Sequence, residues 1–214
     1  MTRVLVYVEG PSDKAALEAL LAPLLRDLSQ RGVAVNIFGE TSGDRKKAVL
    51  LKVPDKAVNI LHSQPRSIVV AMPDLYPKNR GFPHETYQQL KEGMLVSFRA
   101  AAKRKKIKKG AELESRFKVF CFKHDLEALL LASFDSLRAR LQAPNLKRSW
   151  SLPVEDVNHD RPPKRIVEEV FQSQGQRYKE TVDAPLILAG SHYAEVAGEC
   201  PQCFKPFVEF LSSL

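Results

Sequence analysis

Arg3-Val4-Leu5-Val6-Tyr7-Val8-Glu9-Gly10-Pro11-Ser12-Asp13 is the stretch on which the reading of the chain turns. Residues 3–8 are apolar or β-branched almost without interruption, as in a short buried strand, and Gly10-Pro11 bounds it. Ser12 stands where a helix N-cap is expected, with Asp13 in the first turn. Leu17, Leu20, Leu21, Leu24, Leu25 and Leu28 then recur at helical spacing, and Gly32 ends the run.

The alternation continues outward. Residues 33–38, 67–72 and 116–122 read as further strands. Residues 43–62, 85–109 and 125–141 read as helices, with Pro54 expected to break or kink the first of them. Residues 144–163 look irregular, and residues 162–174 and 201–214 look like closing helices. Strands alternating with helices predict an α/β fold, a mostly parallel sheet flanked by helices, over residues 1–143. Residues 144–214 are expected to form a mainly helical C-terminal appendage packed on it, as a second domain or as part of one domain.

Composition narrows the class. With 44% hydrophobic residues in 214, there is material for a core without disulfide staples. The net charge of +8 favours polyanionic partners. No run reaches the roughly 18–20 apolar residues that span a bilayer, so no membrane partner is expected. Nothing resembles a signal peptide, and three cysteines suit a reducing compartment, so a cytoplasmic location is expected. Cys200-Pro-Gln-Cys203 lacks the second pair of a structural zinc site and reads as a turn into the last helix.

In open α/β sheets ligands gather beyond the carboxyl ends of the strands. Three strands here run into acidic residues: the first into Glu9 and Asp13, the third into Asp74, the fourth into His124-Asp125-Leu126-Glu127. Taken singly, each is most simply a solvated loop or cap residue. Together they form a set whose mutual repulsion a hard cation, Mg2+ or Mn2+, would relieve. The expected metal ligands are Glu9, Asp13, Asp74 and Glu127, with Tyr76, His124 and Asp125 in support.

Val8-Glu9-Gly10-Pro11-Ser12-Asp13 resembles the first Toprim motif, in which a Glu after the first strand serves metal-dependent cleavage or joining of nucleic acids. The second Toprim motif is Asp-x-Asp, whereas this chain has Asp74-Leu75-Tyr76. A narrower resemblance covers nearly the whole chain, to the family labelled domain of unknown function 4276. It rests on Asp74-Leu75-Tyr76 with Gly81-Phe82-Pro83, and on His124-Asp125-Leu126-Glu127-Ala128-Leu129-Leu130. Pro153-Val154-Glu155-Asp156-Val157-Asn158, Pro163-Lys164-Arg165, Tyr178-Lys179 before Ala184-Pro185-Leu186-Ile187, and Cys200-Pro201 complete it. Asp-x-Tyr is usual in that family, and Asp125 stands where the family pattern has Glu.

The resemblance implies a Toprim-like nuclease acting on RNA, such as transfer RNA, or on DNA, an effector of antiphage defence beside an ATPase partner. Glu9, Asp74, Glu127 and Lys164 are the expected catalytic residues. The competing reading is a non-catalytic Toprim-like module that binds nucleic acid or a partner protein, favoured by the missing second Asp. Residues 99–109 carry a basic run from which Lys103, Arg104, Lys105, Lys106, Lys108 and Lys109 could track a phosphate backbone, joined by Arg165 and Lys179. Without interleaved aromatics this run is equally a solvated helix end.

Overall fold

Strand β1 (Thr2–Val8) pairs in parallel on one side with β2 (Val33–Gly39) and on the other with β3 (Ser67–Met72), which pairs in parallel with the short edge strand β4 (Phe117–Val119). The sheet order is β2-β1-β3-β4. It is the parallel, helix-flanked sheet that the strand–helix alternation predicts. The computed structural model describes residues 1–78, 81–157 and 160–214. Asn158, quoted above for the family resemblance, lies outside the described residues.

The chain divides into two compact units. Residues 1–11 and 25–121 form the first; residues 12–24 and 122–214 form the second. The first holds the sheet. Val4, Val6, Val8, Val69, Val70, Ala71 and Met72 are fully buried, as continuous apolar strands require. The crossover from β2 to β3 starts with α2 (Arg45–Lys47), capped by Asp44, whose carboxylate accepts the Lys47 N–H at 2.9 Å. It continues through a π-helical turn, Ala48–Lys52, into α3 (Val53–Ser63). Pro54 does not break this helix. It sits in the first turn of α3, where no backbone N–H is needed. The crossover to β4 uses α4 (Tyr87–Arg104), opened by a Thr86/Gln89 capping box, and α5 (Gly110–Glu114). Residues 105–109, which the sequence assigns to the helix end, lie outside both helices, with Lys106 at positive φ.

The sheet edge carries one tight contact. A Cβ on Gly39, at the end of β2, would stand 2.3 Å from the Gly10 carbonyl oxygen, just beyond β1. The backbones meet there with no room for a side chain. Gly39→Ala is expected to cost about 2 kcal/mol, from the strain of overpacking a fixed backbone contact, and urea unfolding measures it.

The second unit is helical. Beyond residues 12–24 of α1 (Pro11–Gln30), it contains α6 (Glu127–Ala132), α7 (Phe134–Arg140), α8 (Pro163–Ser173), α9 (Glu180–Ala189), α10 (Tyr193–Glu199) and α11 (Phe204–Ser212). The single helix expected over residues 125–141 is two, parted at Ser133, whose hydroxyl donates to the Leu129 carbonyl at 2.8 Å. Helix α9 escapes the sequence reading because Pro185 lies inside it, and α10 because it is short and polar. Ser12 is not an N-cap: the helix already begins at Pro11. Leu126, Leu129 and Leu130 are buried, as the helical spacing requires, and α6 packs against α8, α9 and α10. No helix among the described residues is long and apolar enough to cross a membrane.

Candidate functional site

In the first unit, β1 and β3 are in register from Arg3↔Ser67 to Val8↔Met72. Glu9 and Pro73-Asp74 therefore leave the sheet together at its carboxyl edge. Chain direction fixes the chemistry of this edge, since β2 and β3 lie on opposite sides of β1 and the crossovers diverge there. Glu9 Oε1 accepts the Asp74 N–H at 2.9 Å. Burial pushes the Glu9 carboxyl above the usual carboxylate range, and Asp44 adds to this, against the pull of Lys46 and the Asp74 N–H.

Lys46 is the residue that sequence reading misses here. In the sequence it is only part of a basic helix start, yet it is buried, at 8% exposure, and its ammonium donates to the Pro77 carbonyl. Burial lowers its pKa, opposed by Glu9, then Asp74, the Cys121 thiol and Asp44. Tyr76, at the position of the second Asp in Asp-x-Asp, donates its hydroxyl to the Glu85 carbonyl at 2.8 Å and braces the loop after β3.

The second unit holds a separate cluster. Asp125 and Glu127 lie at the start of α6, and both carboxyls are pushed up to about 7. Burial is the main cause for each; Glu127 adds to it for Asp125, and Glu180 adds to it for Glu127. Asp125 Oδ2 accepts the Lys164 N–H at 3.3 Å, while Asp125 Oδ1 is buried without a hydrogen-bond partner among the described residues. The Tyr178 hydroxyl donates to Glu127 Oε1 at 3.1 Å, and burial, then the Glu127 charge, raises the Tyr178 pKa. The Lys164 ammonium donates to Glu180 and lies 3.9 Å from Glu127 Oε1. Burial works against that ammonium, but Glu180, Glu127 and Asp125 outweigh it and raise its pKa. The Ser12 hydroxyl donates to the other oxygen of Glu180. Ser12, Tyr178 and Glu180 have no signal in periodicity. Ser12 and Tyr178 are marked only by standing in the family-like segments at residues 8–13 and Tyr178-Lys179, and Glu180 only by following the second of them.

The four expected ligands thus fall two and two: Glu9 and Asp74 in the first unit, Asp13 and Glu127 in the second. Asp13 sits in the first turn of α1. His124 is buried just before α6. Among the described residues no three His, Cys, Asp or Glu side chains are grouped to hold an ion. A cation would therefore take few protein oxygens and keep several waters, as Mg2+ commonly does. The donors of the second unit fit such an ion: two desolvated carboxylates, one with an open buried oxygen, and three carboxylates around a single ammonium. All three cysteines are free and buried, with the Cys200–Cys203 segment forming the turn before α11.

The basic run is largely neutralised within the fold. Arg99 pairs with Glu92 and Glu114, Arg104 and Lys105 both pair with Asp55, and Lys109 pairs with Glu112. Lys103, Lys106 and Lys108 are exposed. In the second unit Arg165 pairs with Glu169, and Lys179 is exposed.

The family model described as Domain of unknown function (DUF4276) matches residues 8–212. The chain belongs to that family. The match takes in both acidic clusters. No curated protein matches the chain. Among solved structures, the C-terminal region of the Burkholderia pseudomallei OLD protein is similar at 15% identity and a TM-score of 0.47, covering 100% of this chain and 98% of that one. The C-terminal region of the Xanthomonas campestris pv. campestris OLD protein is similar at 14% identity and a TM-score of 0.45, covering 100% and 95%.

Proposed function

We propose that this member of the DUF4276 family is a metal-dependent phosphodiesterase acting on nucleic acid, RNA such as transfer RNA or DNA, in antiphage defence with an ATPase partner. The observation that carries the reading is the pair of buried, raised carboxylates Asp125 and Glu127 held against Lys164. Such a pair is costly to keep for stability alone, because each buried charge must be desolvated. When bound, Mg2+ or Mn2+ would supply Lewis-acid stabilisation of a phosphoryl oxygen and a more acidic water.

The remaining roles belong to the chain. Asp125 and Glu127 offer the oxygens for the ion, and Tyr178 orients Glu127 through its hydrogen bond. Lys164, half exposed and tethered by Glu180, can turn to a phosphate and neutralise charge developing on it. In the first unit Glu9, with its proton affinity raised by burial, is suited to accept a proton from water or to join Asp74 in weak ion binding. The +8 charge, with Lys103, Lys106, Lys108 and Lys179 exposed, favours a polyanion.

The test is incubation of the purified protein with RNA and DNA pools, with Mg2+ or Mn2+ and with chelator. Cleavage is expected that chelation abolishes and that Glu9→Ala and Lys164→Ala each reduce at least about a hundredfold, the loss typical of a positioned acid–base or charge-stabilising group. Cleavage unchanged in both variants would mark it as a contaminant and leave a binding module.

A further inference from the structure

We propose that the open edge of β2 pairs with β2 of a second copy of this chain, antiparallel about a two-fold axis at Asn36, joining two sheets into one. β2 has a single neighbour in the sheet, β1. The bond from the Thr2 N–H to the Gly32 carbonyl, at 3.0 Å, fixes the phase of that parallel ladder. Ala34, Asn36 and Phe38 bond to β1 through their backbones, while the N–H and C=O groups of Val33, Val35, Ile37 and Gly39 point outward. No backbone group of the described residues meets those outward groups. An edge of this kind is a template for another strand unless the fold blunts it. β4 is blunted: it has three residues, carries Lys118, and its Val119 carbonyl accepts the Tyr87 hydroxyl at 2.7 Å. β2 has seven residues, with no charged side chain, no proline and an unbroken register.

The strand is complementary to itself. Full antiparallel overlap of residues 33–39 sets Val35 opposite Ile37 and Val33 opposite Gly39, each pair exchanging both backbone bonds. The intervening pairs, whose side chains come closest, are then Asn36 with Asn36 on the axis and Ala34 with Phe38 on either side of it. Phe38 is 39% exposed and stacks on Tyr7, with ring centroids 5.2 Å apart. Opposite it the second copy offers its smallest side chain, so a large group faces a small one twice. The two amides on the axis can bond to each other. The flanking charges agree with the same direction. Arg31 precedes the strand and Glu40 follows it, and antiparallel pairing brings each beside the other of the second copy. A strand from an acidic or basic partner would find no opposite charge along β2, whereas a second copy brings none to repel. The contact is isologous and closes at two copies.

None of the carboxylates read above as metal ligands lies in β2, so this contact and cleavage are tested apart. Sedimentation velocity and light scattering of the purified full chain at micromolar concentrations are expected to give twice the monomer mass, falling to the monomer on dilution. Asn36→Lys sets two like charges face to face on the axis and should weaken the dimer at least about tenfold, as should Asn36→Asp. Mixed together, the two variants should associate at least as tightly as wild type, because only a residue on the axis meets its own copy. Circular dichroism checks that each is folded; Asn36 is only half-buried, which suits either change. A wild-type chain that stays monomeric overturns the proposal whether or not the variants fold. So does a dimer that survives both substitutions unweakened, or a mixture that associates no better than either variant alone.

Discussion

Glu127→Gln is expected to raise the melting temperature at pH 8 and to have little effect at pH 4. Glu127 is 3% exposed, and its folded-state pKa of about 7 lies well above the ordinary 4.5. From pH 4.5 to 7 the folded chain keeps a proton that the unfolded chain has released. The stability that this proton contributes is complete below the unfolded value and is lost as pH rises through about 7. At pH 8 wild type therefore carries a buried carboxylate at a net cost. An upper bound follows from the shift at about 1.36 kcal/mol per unit; sharing of protons with Asp125 brings the expected gain to about 2 kcal/mol. Gln keeps an oxygen for the Tyr178 hydroxyl, and Lys164 keeps Glu180, so little is lost in exchange. Thermal melts at both pH values decide it. A variant no more stable than wild type at pH 8 would mean that the carboxylate is hydrated after all. Mg2+ or Mn2+ should in turn stabilise wild type at pH 8 and leave the variant unmoved, since a ligand shifts the melt only of the state that binds it.

Glu155→Ala is expected to be the most damaging single substitution outside the sheet. Glu155 is 2% exposed and lies in a 3-10 turn, Val154–Asp156. Its carboxylate accepts the backbone N–H of Gln202 at 2.5 Å, of Cys203 at 2.8 Å and of Phe204 at 3.3 Å. These donors open α11, and no side chain of that helix satisfies them. Truncation leaves buried N–H groups unpaired beside Phe204 and Phe207, both nearly fully buried, and should lower the unfolding free energy by about 4 kcal/mol. Glu155→Gln, with a single accepting oxygen and no charge, should lose less. Denaturant melts that show a loss under about 1 kcal/mol for the Ala variant would mean that the turn re-forms its bonds elsewhere.

Glu155 also marks where sequence reading stops. Its segment stands out only through family resemblance, because its partners are backbone groups nearly fifty residues away and no periodicity encodes them. The sheet is legible for the opposite reason. Uninterrupted apolar runs such as residues 68–72 have few other uses, and the acids following β1 and β3 come with them. The fourth strand reads too long from sequence because residues 120–122 are apolar, whereas pairing with β3 ends at Val119. The burial of Lys46 is illegible, since Arg45-Lys46-Lys47 reads as uniformly exposed and only the crossover geometry turns one of the three inward. The pairing of Arg104 and Lys105 within the basic run is equally illegible, because their partner Asp55 lies some fifty residues upstream.

The second compact unit is assembled from two pieces of sequence, residues 12–24 and residues 122–214. During synthesis its first piece leaves the ribosome roughly a hundred residues ahead of the second, a delay of about 5–20 s at ordinary elongation rates. Leu17, Leu20 and Leu21, fully buried in the finished protein, must wait through that interval. The unit therefore cannot form vectorially. A nascent chain stalled near residue 121 would display an apolar helical face, a natural site for chaperone engagement, and a fragment beginning at residue 122 would lack that helix.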